Sequence, residues 1–373
     1  MPPITLLIKP ASGACNMRCK YCFYSDVMEN RSVANFGMLG DDLHEQMVKK
    51  ALGEASGSVT FAFQGGEPTL RGLDFFRRHI ELVDKYNVRA LKVYNTIQTN
   101  GYIVDEKWAE FFRQNNFLVG LSMDGTRSIH DRFRLDSNKK GTYDKVLRCA
   151  RLLDKFQVEY NILCVVNNVV AKNGAKVLNT LIANGFRYIQ FIPCLDKFNN
   201  DVKHDFSLDP KAYEKFLKTT FDIYYRFFVN RRLLSIRNFD NYVAMLAGMA
   251  PESCGMSGIC NCYFVVEGDG SVYPCDFYVV DRYRLGNVAT HGFRQMLHCD
   301  NAKKFVSQSL KVDDKCRKCQ WYFICRGGCR RNRQTDLDGV LHLNEYCIAF
   351  EGFFPYAFSR LKEMDQFVLN NNR

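Results

Sequence analysis

The chain has 373 residues, 47% hydrophobic and 24% charged. That excludes a disordered or fibrous protein and suits about two globular domains with a large core. An excess of 51 Lys+Arg over 40 Asp+Glu gives a net charge of +11, which by itself would attract nucleic acid or acidic partners. The N-terminal MPPITLLIKPASG has only a short apolar run and no signal-peptide core. No stretch approaches the ~18 apolar residues of a membrane span. The expectation is a cytoplasmic protein with no membrane association, in which the 16 cysteines serve metal binding or catalysis and not disulfides.

In chain order, ITLLIK (4–9) reads as a strand and leads into 15-CNMRCKYCFY-24, with Cys15, Cys19 and Cys22 inside eight residues. A structural zinc site takes four ligands, whereas no fourth cysteine lies nearby and the first histidine is His44. Iron–sulfur clusters usually take four thiolates. Three would leave one iron of a four-iron cluster open, and an open metal position is where a cofactor or substrate binds.

Apolar, β-branched runs follow at 59–63, 91–97, 117–123, 158–166 and 187–192, separated by segments of helical period at 41–55, 74–86, 105–115 and 142–156. Six strand–helix units predict an α/β fold with a parallel sheet, which right-handed crossovers curl into a full or partial barrel. Chemistry collects at the C-terminal ends of such strands. The unusual residues fall there: the cysteines, QGGEP, QTNG, SMDG and PCLD.

Two helical stretches between 210 and 247 lead into a cysteine-dense region. FVVEGDGSVYPC (264–275) predicts a β-hairpin turning at Asp269–Gly270. The run 316-CRKCQWYFICRGGC-329 has the spacing C-x2-C-x5-C-x3-C, with Cys347 further on. Paired cysteines of this kind serve zinc as well as iron–sulfur clusters. Cys149, Cys164, Cys194 and Cys299 stand outside these patterns and read as core or surface thiols.

CxxxCxxC followed by an aromatic, together with 65-GGEP-68, resembles the radical S-adenosylmethionine (SAM) superfamily. The resemblance implies a partial (β/α)6 TIM-like barrel in which the open iron holds the methionyl group of SAM. Reduction then cleaves SAM to methionine and a 5′-deoxyadenosyl radical. Implied SAM contacts are Gly65 and Gly66 for the methionyl amino group, Ser122 for the ribose, Arg134 for the carboxylate, and Leu195 and the Tyr21 backbone for adenine. Arg132 is an alternative to Arg134.

The C-terminal cysteines resemble the SPASM extension, which binds two auxiliary four-iron clusters and makes three in all. The implied ligands are Cys254, Cys260, Cys275 and Cys329 for one, and Cys316, Cys319, Cys325 and Cys347 for the other, with Cys262 an alternative to Cys260. The resulting division is a barrel over 1–235, a helical connector over 236–253, a SPASM domain over 254–348 and a C-terminal helix over 349–373.

Longer strings, LLIKPASGACNMRCKYCFY, FAFQGGEPTL, IQTNG, LVGLSMDG and YPCDFY, are similar to the anaerobic sulfatase-maturating enzymes. These oxidise a cysteine or serine in a C/S-x-P-x-R segment of an unfolded sulfatase to Cα-formylglycine. The resemblance implies hydrogen removal from the target Cβ, proton removal by a base, and electron transfer to an auxiliary cluster. It points to Asp276 as the base. A buried position beside Cys275 would make that carboxylate a better base than a free one.

Competing readings are a SPASM peptide maturase forging thioether or C–C crosslinks, an iron–sulfur electron carrier or zinc-bound adaptor, and a tRNA-modifying radical enzyme. The last rests on the net charge and on the four arginines of 326-RGGCRRNR-333. Those arginines also suit offsetting cluster charge or docking an acidic electron donor such as flavodoxin or ferredoxin, so no nucleic-acid partner is expected. Whether cysteine, serine or both are oxidised is left open by the sequence, as is the oligomeric state.

Overall fold

The structure, a computed structural model, describes residues 1–198, 202–333 and 341–371. The last two residues of the expected C-terminal helix lie outside this set. Its elements run β1 (Ile4–Ile8), α1 (Asp41–Glu54), β2 (Ser58–Phe63), α2 (Leu73–Tyr86), β3 (Lys92–Thr99), α3 (Glu106–Gln114), β4 (Leu118–Ser122) and α4 (Tyr143–Lys155). They continue with β5 (Tyr160–Val166), α5 (Gly174–Ala183), β6 (Tyr188–Pro193), α6 (Pro210–Val229), β7 (Ser235–Ile236) and α7 (Arg237–Leu246). Last come β8 (Phe264–Val266), β9 (Ser271–Tyr273), β10 (Gly286–Asn287) and α8 (Cys347–Asn371), with shorter turns of helix between.

Two compact units divide these elements. The first comprises 1–122, 134–160 and 261–306. In it β1, β2, β3 and β4 pair in parallel in sequence order, as expected of strand–helix units. The alternation that marks β2 in the sequence is its burial pattern: Val59, Phe61 and Phe63 are buried, and Ser58, Thr60 and Ala62 are less so. α3 starts at Asp105, whose carboxylate accepts the Trp108 amide and caps the helix.

The expected hairpin is present. Gly270 adopts φ +78° and its amide bonds the Glu267 carbonyl, while β8 and β9 pair antiparallel. Its placement was not legible in the sequence: β8 pairs in parallel with β1, Leu6 opposite Phe264. The hairpin therefore extends the sheet of the first unit, so the compact units cut across the linear division expected above.

The second unit comprises 123–133, 161–260 and 307–373. β5, β6 and β7 are parallel within it. α8 packs along α6 through an aromatic core in which Phe353 meets Phe221 and Phe239, and Phe354 meets Tyr242. Such rings bury large apolar areas and lock one another by edge-to-face contact. Among the described residues no helix is long and apolar enough to cross a membrane.

Candidate active site

The loop after β1 carries Cys15, Cys19 and Cys22, and the glycine turn after β2 holds it in place. The Gly66 amide donates to the Ser12 carbonyl (2.7 Å), and the Glu67 amide to that of Ala14 (2.8 Å). A Cβ on Gly66 would lie 2.0 Å from the Ala14 carbonyl oxygen, and Gly65 sits at φ +132°. The glycines are thus required for the backbone to reach the cysteine loop. Their carbonyls, as acceptors, match the donor chemistry of a methionyl amino group.

Glu67, overlooked as a site residue, is wholly buried and binds both loops. Its carboxylate accepts from the Thr69 amide (3.1 Å) and hydroxyl (2.6 Å), from the Thr99 hydroxyl (2.8 Å) and from the Asn100 amide (2.8 Å). Burial pushes its carboxyl up, and these donors pull it back. Asn100 in turn donates to Asn16 at 2.8 Å and lies 3.8 Å from the Cys15 sulfur. The role of QTNG is therefore to brace the cysteine loop.

Arg134 is buried and donates to the Tyr21 hydroxyl at 3.2 Å, whereas Arg132 is half exposed and pairs with Asp205. Burial pushes the Cys15 thiol up to about 11, opposed by the Met17 amide and by Arg134. A thiol so placed becomes a ligand only when a metal compensates its charge. Ser122 ends β4 in the first unit, and Leu195 follows β6 in the second.

Asp276 lies in the first unit, only 4% exposed. The Lys9 ammonium stands 2.5 Å from its Oδ1, and the Gln64 amide donates to its Oδ2 at 2.7 Å. Gln64 provides the aligned hydrogen bond, and Lys9 acts by charge and distance. The ammonium and the Gln64 amide together engage both oxygens of the carboxylate. The Lys9 ammonium also lies 3.9 Å from the centre of the Tyr24 ring, and the Tyr24 hydroxyl donates to Glu267, which pairs with Arg31 at 2.8 Å. This buried network ties β1, the segment after Cys22 and the hairpin turn together. The only signal for Lys9 in the sequence was a charged residue directly after an apolar strand, on the side of the sheet where chemistry collects.

Removing one partner of a buried ion pair strands the other. Lys9→Met is therefore expected to cost about 3 kcal/mol in anaerobic urea denaturation, and Lys9→Met/Asp276→Asn no more than the single change. Additive losses would show that the two side chains are not coupled.

In the second unit, Cys316, Cys319, Cys325 and Cys347 line one cavity together with Trp321, Tyr322, Phe350 and Phe354. Four thiols inside an apolar shell fit a fully ligated four-iron cluster. Burial pushes Cys325 up to about 12, with its three sulfur neighbours adding to the effect. Cys254, Cys260 and Cys329 influence one another electrostatically in the same unit, and burial pushes Cys329 up to about 12. Cys262 belongs to the first unit, where its sulfur faces the Ala302 carbonyl. Among the described residues no group of three or more His, Cys, Asp or Glu side chains is arranged to hold a single metal ion.

Arg330, Arg331 and Arg333 are 2%, 6% and 5% exposed. Arg331 stacks 3.6 Å from the Phe198 ring centre, and Arg330 donates to Gln308. Both Arg330 and Arg333 favour the charged form of Cys260. These buried guanidiniums offset thiolate charge and do not form a surface for nucleic acid or an acidic donor. Cys149, Cys164 and Cys194 are core thiols, as expected.

Residues 10–174 match the Radical SAM superfamily and residues 257–320 match an iron–sulfur cluster-binding domain. A cysteine-type anaerobic sulfatase-maturating enzyme of Clostridium novyi is 47% identical over 97% of each chain. The serine-type enzyme of Bacteroides thetaiotaomicron is 31% identical over 99% of this chain and 92% of its own. A solved structure, native anSMEcpe with bound AdoMet and Cp18Cys peptide, superposes with a TM-score of 0.94 at 47% identity, covering 98% of this chain and 100% of that one. Streptococcus suis SuiB bound to the precursor peptide SuiA shares the fold at 16% identity and a TM-score of 0.63. The α/β fold with a radical SAM domain and a C-terminal SPASM domain is thus the one anticipated, and SAM and iron–sulfur clusters are its cofactors. Identity sustained along almost the whole of both chains shows the family: the chain belongs to the anaerobic sulfatase-maturating enzymes of the radical SAM superfamily.

Proposed function

We propose that this enzyme oxidises a cysteine, within a C-x-P-x-R segment of an unfolded sulfatase, to Cα-formylglycine. The observation that carries this reading is the buried Asp276 carboxylate, held by Lys9 and Gln64 next to Cys275 in the sequence. Identity of 47% to a cysteine-type relative, against 31% to a serine-type one, supports the choice of cysteine.

Three four-iron clusters are proposed, with Cys15, Cys19 and Cys22 holding the one that binds SAM. Cys254, Cys260, Cys275 and Cys329 hold the second, and Cys316, Cys319, Cys325 and Cys347 the third. Gly65, Gly66, Ser122, Arg134, Leu195 and Tyr21 form the SAM site, and the division into 1–235, 236–253, 254–348 and 349–373 follows these roles. The cluster that Cys15, Cys19 and Cys22 would hold would supply, with SAM bound, the electron for release of a 5′-deoxyadenosyl radical able to remove a hydrogen atom from the substrate Cβ.

The chain's own residues then govern the outcome. Asp276 takes the proton from the substrate thiol, and Lys9 and Gln64 hold its two oxygens in place. Loss of that proton makes the carbon radical easier to oxidise; the auxiliary clusters would accept the remaining electron, and water would hydrolyse the resulting thioaldehyde to the aldehyde with release of hydrogen sulfide. A small acidic protein such as a flavodoxin or ferredoxin is the proposed electron donor.

The test is anaerobic incubation with SAM, reductant and paired C-x-P-x-R and S-x-P-x-R peptides, followed by mass analysis. Aldehyde from the cysteine peptide at least about tenfold faster than from the serine peptide is expected, a modest discrimination for one altered atom in a binding site. A crosslinked product, or preference for serine, would overturn the reading.

A further inference from the structure

The hairpin has a consequence beyond placing Asp276. Tyr263 directly precedes β8, and Cys275 and Asp276 follow β9 after a single residue, Pro274. Antiparallel pairing of Val265 with Tyr273 sets the two ends of the hairpin side by side. The Tyr263 hydroxyl consequently lies 3.5 Å from the Cys275 sulfur and accepts the Asp276 amide N–H at 3.1 Å.

Both contacts have a clear polarity. Asp276 opens a short 3-10 turn, Asp276–Tyr278, and the residue at its cap position, Cys275, makes no side-chain capping bond. The exposed N–H of that first turn needs an acceptor, and the Tyr263 oxygen fills the place that a serine or aspartate cap ordinarily takes. A ligating cysteine carries no proton. The phenol's O–H is then the donor toward Cys275, and its lone pairs serve Asp276.

Hydrogen bonds to cluster sulfurs stabilise the more negative, reduced state and so raise the reduction potential. One hydroxyl thereby touches the ligand of the electron acceptor and the backbone of the proton acceptor. We infer that Tyr263 is a positioning residue for the oxidation: it raises the potential of the auxiliary cluster held by Cys275 and fixes the turn that aims Asp276. The inference rests on the assignment of Cys275 as a cluster ligand and of Asp276 as the base.

The test uses reconstituted full-length Tyr263→Phe, with iron and sulfide content measured first. In an EPR-monitored redox titration, one auxiliary cluster is expected to become harder to reduce. Its reduced-to-oxidised ratio at a fixed potential should fall roughly tenfold, equivalent to ~59 mV for one electron. The yield of formylglycine per 5′-deoxyadenosine should fall as well. Tyr263→His, which keeps an N–H donor, should recover part of the potential, and it replaces the phenylalanine variant in the titration if that variant loses iron.

Unchanged potentials in an iron-replete phenylalanine variant, or no recovery by histidine from a lowered value, overturn the proposal. The base assignment fails separately, if Asp276→Asn makes formylglycine at the wild-type rate. In that case the Tyr263–Cys275 contact is still decided by the titration alone.

Discussion

Asp276→Asn is expected to go on forming 5′-deoxyadenosine while its formylglycine output falls about 10²- to 10⁴-fold, the span over which a positioned general base contributes. Asparagine keeps the size and can still present an oxygen to Gln64, but it cannot take a proton. The separation of the two products is the diagnostic. On the proposed roles, hydrogen abstraction depends on SAM and the Cys15–Cys22 loop, whereas completion of the oxidation needs the thiol proton removed before the second electron leaves. The variant also strands the Lys9 ammonium, which is fully buried, so some loss of stability is expected. Iron content and anaerobic denaturation must therefore be measured alongside product. Wild-type aldehyde yield from a variant with intact clusters would assign the base to another group.

Replacing Cys15, Cys19 and Cys22 together with alanine is expected to abolish SAM cleavage while leaving about two-thirds of the iron, since two fully ligated clusters keep their thiolates. The loop itself should persist. It is held by bonds that need no metal: Gly66 to Ser12, Glu67 to Ala14, and the Arg18 amide to the Leu135 carbonyl at 2.7 Å. Loss of SAM turnover would then report a missing cluster and not a collapsed site. Anaerobic reconstitution with iron and sulfide assays decides the matter. A wild-type content of one cluster plus zinc would overturn the auxiliary-cluster assignment, and full iron retention in the triple variant would show that the three cysteines hold no cluster.

The sequence by itself determined the local architecture. The period of apolar residues located each of the first six strands to within two or three residues, because the side-chain alternation of a strand and the helical stripe after it are properties of short windows. VTFAF (59–63) against the observed Ser58–Phe63 is one instance. Asp269–Gly270 specified its hairpin for the same reason, since only a residue tolerant of positive φ suits that turn. The cysteine spacing likewise announced cluster chemistry before any fold was known.

What only the tertiary structure decided is where distant pieces meet. β8 could have paired with any open edge, and nothing near residue 264 encodes the choice of β1. That pairing joins segments some 250 residues apart and brings Lys9 and Gln64 to Asp276. Burial is the other quantity that sequence does not supply. Three arginines in RGGCRRNR looked equally suited to a surface patch, and they proved to be interior charges beside the cysteines. Glu67 read as part of a ligand-binding motif, yet its carboxylate is consumed by four donors from its own loop and the next. In each case a polar side chain is indifferent to its neighbours until packing removes water, after which it must find a partner or lose free energy.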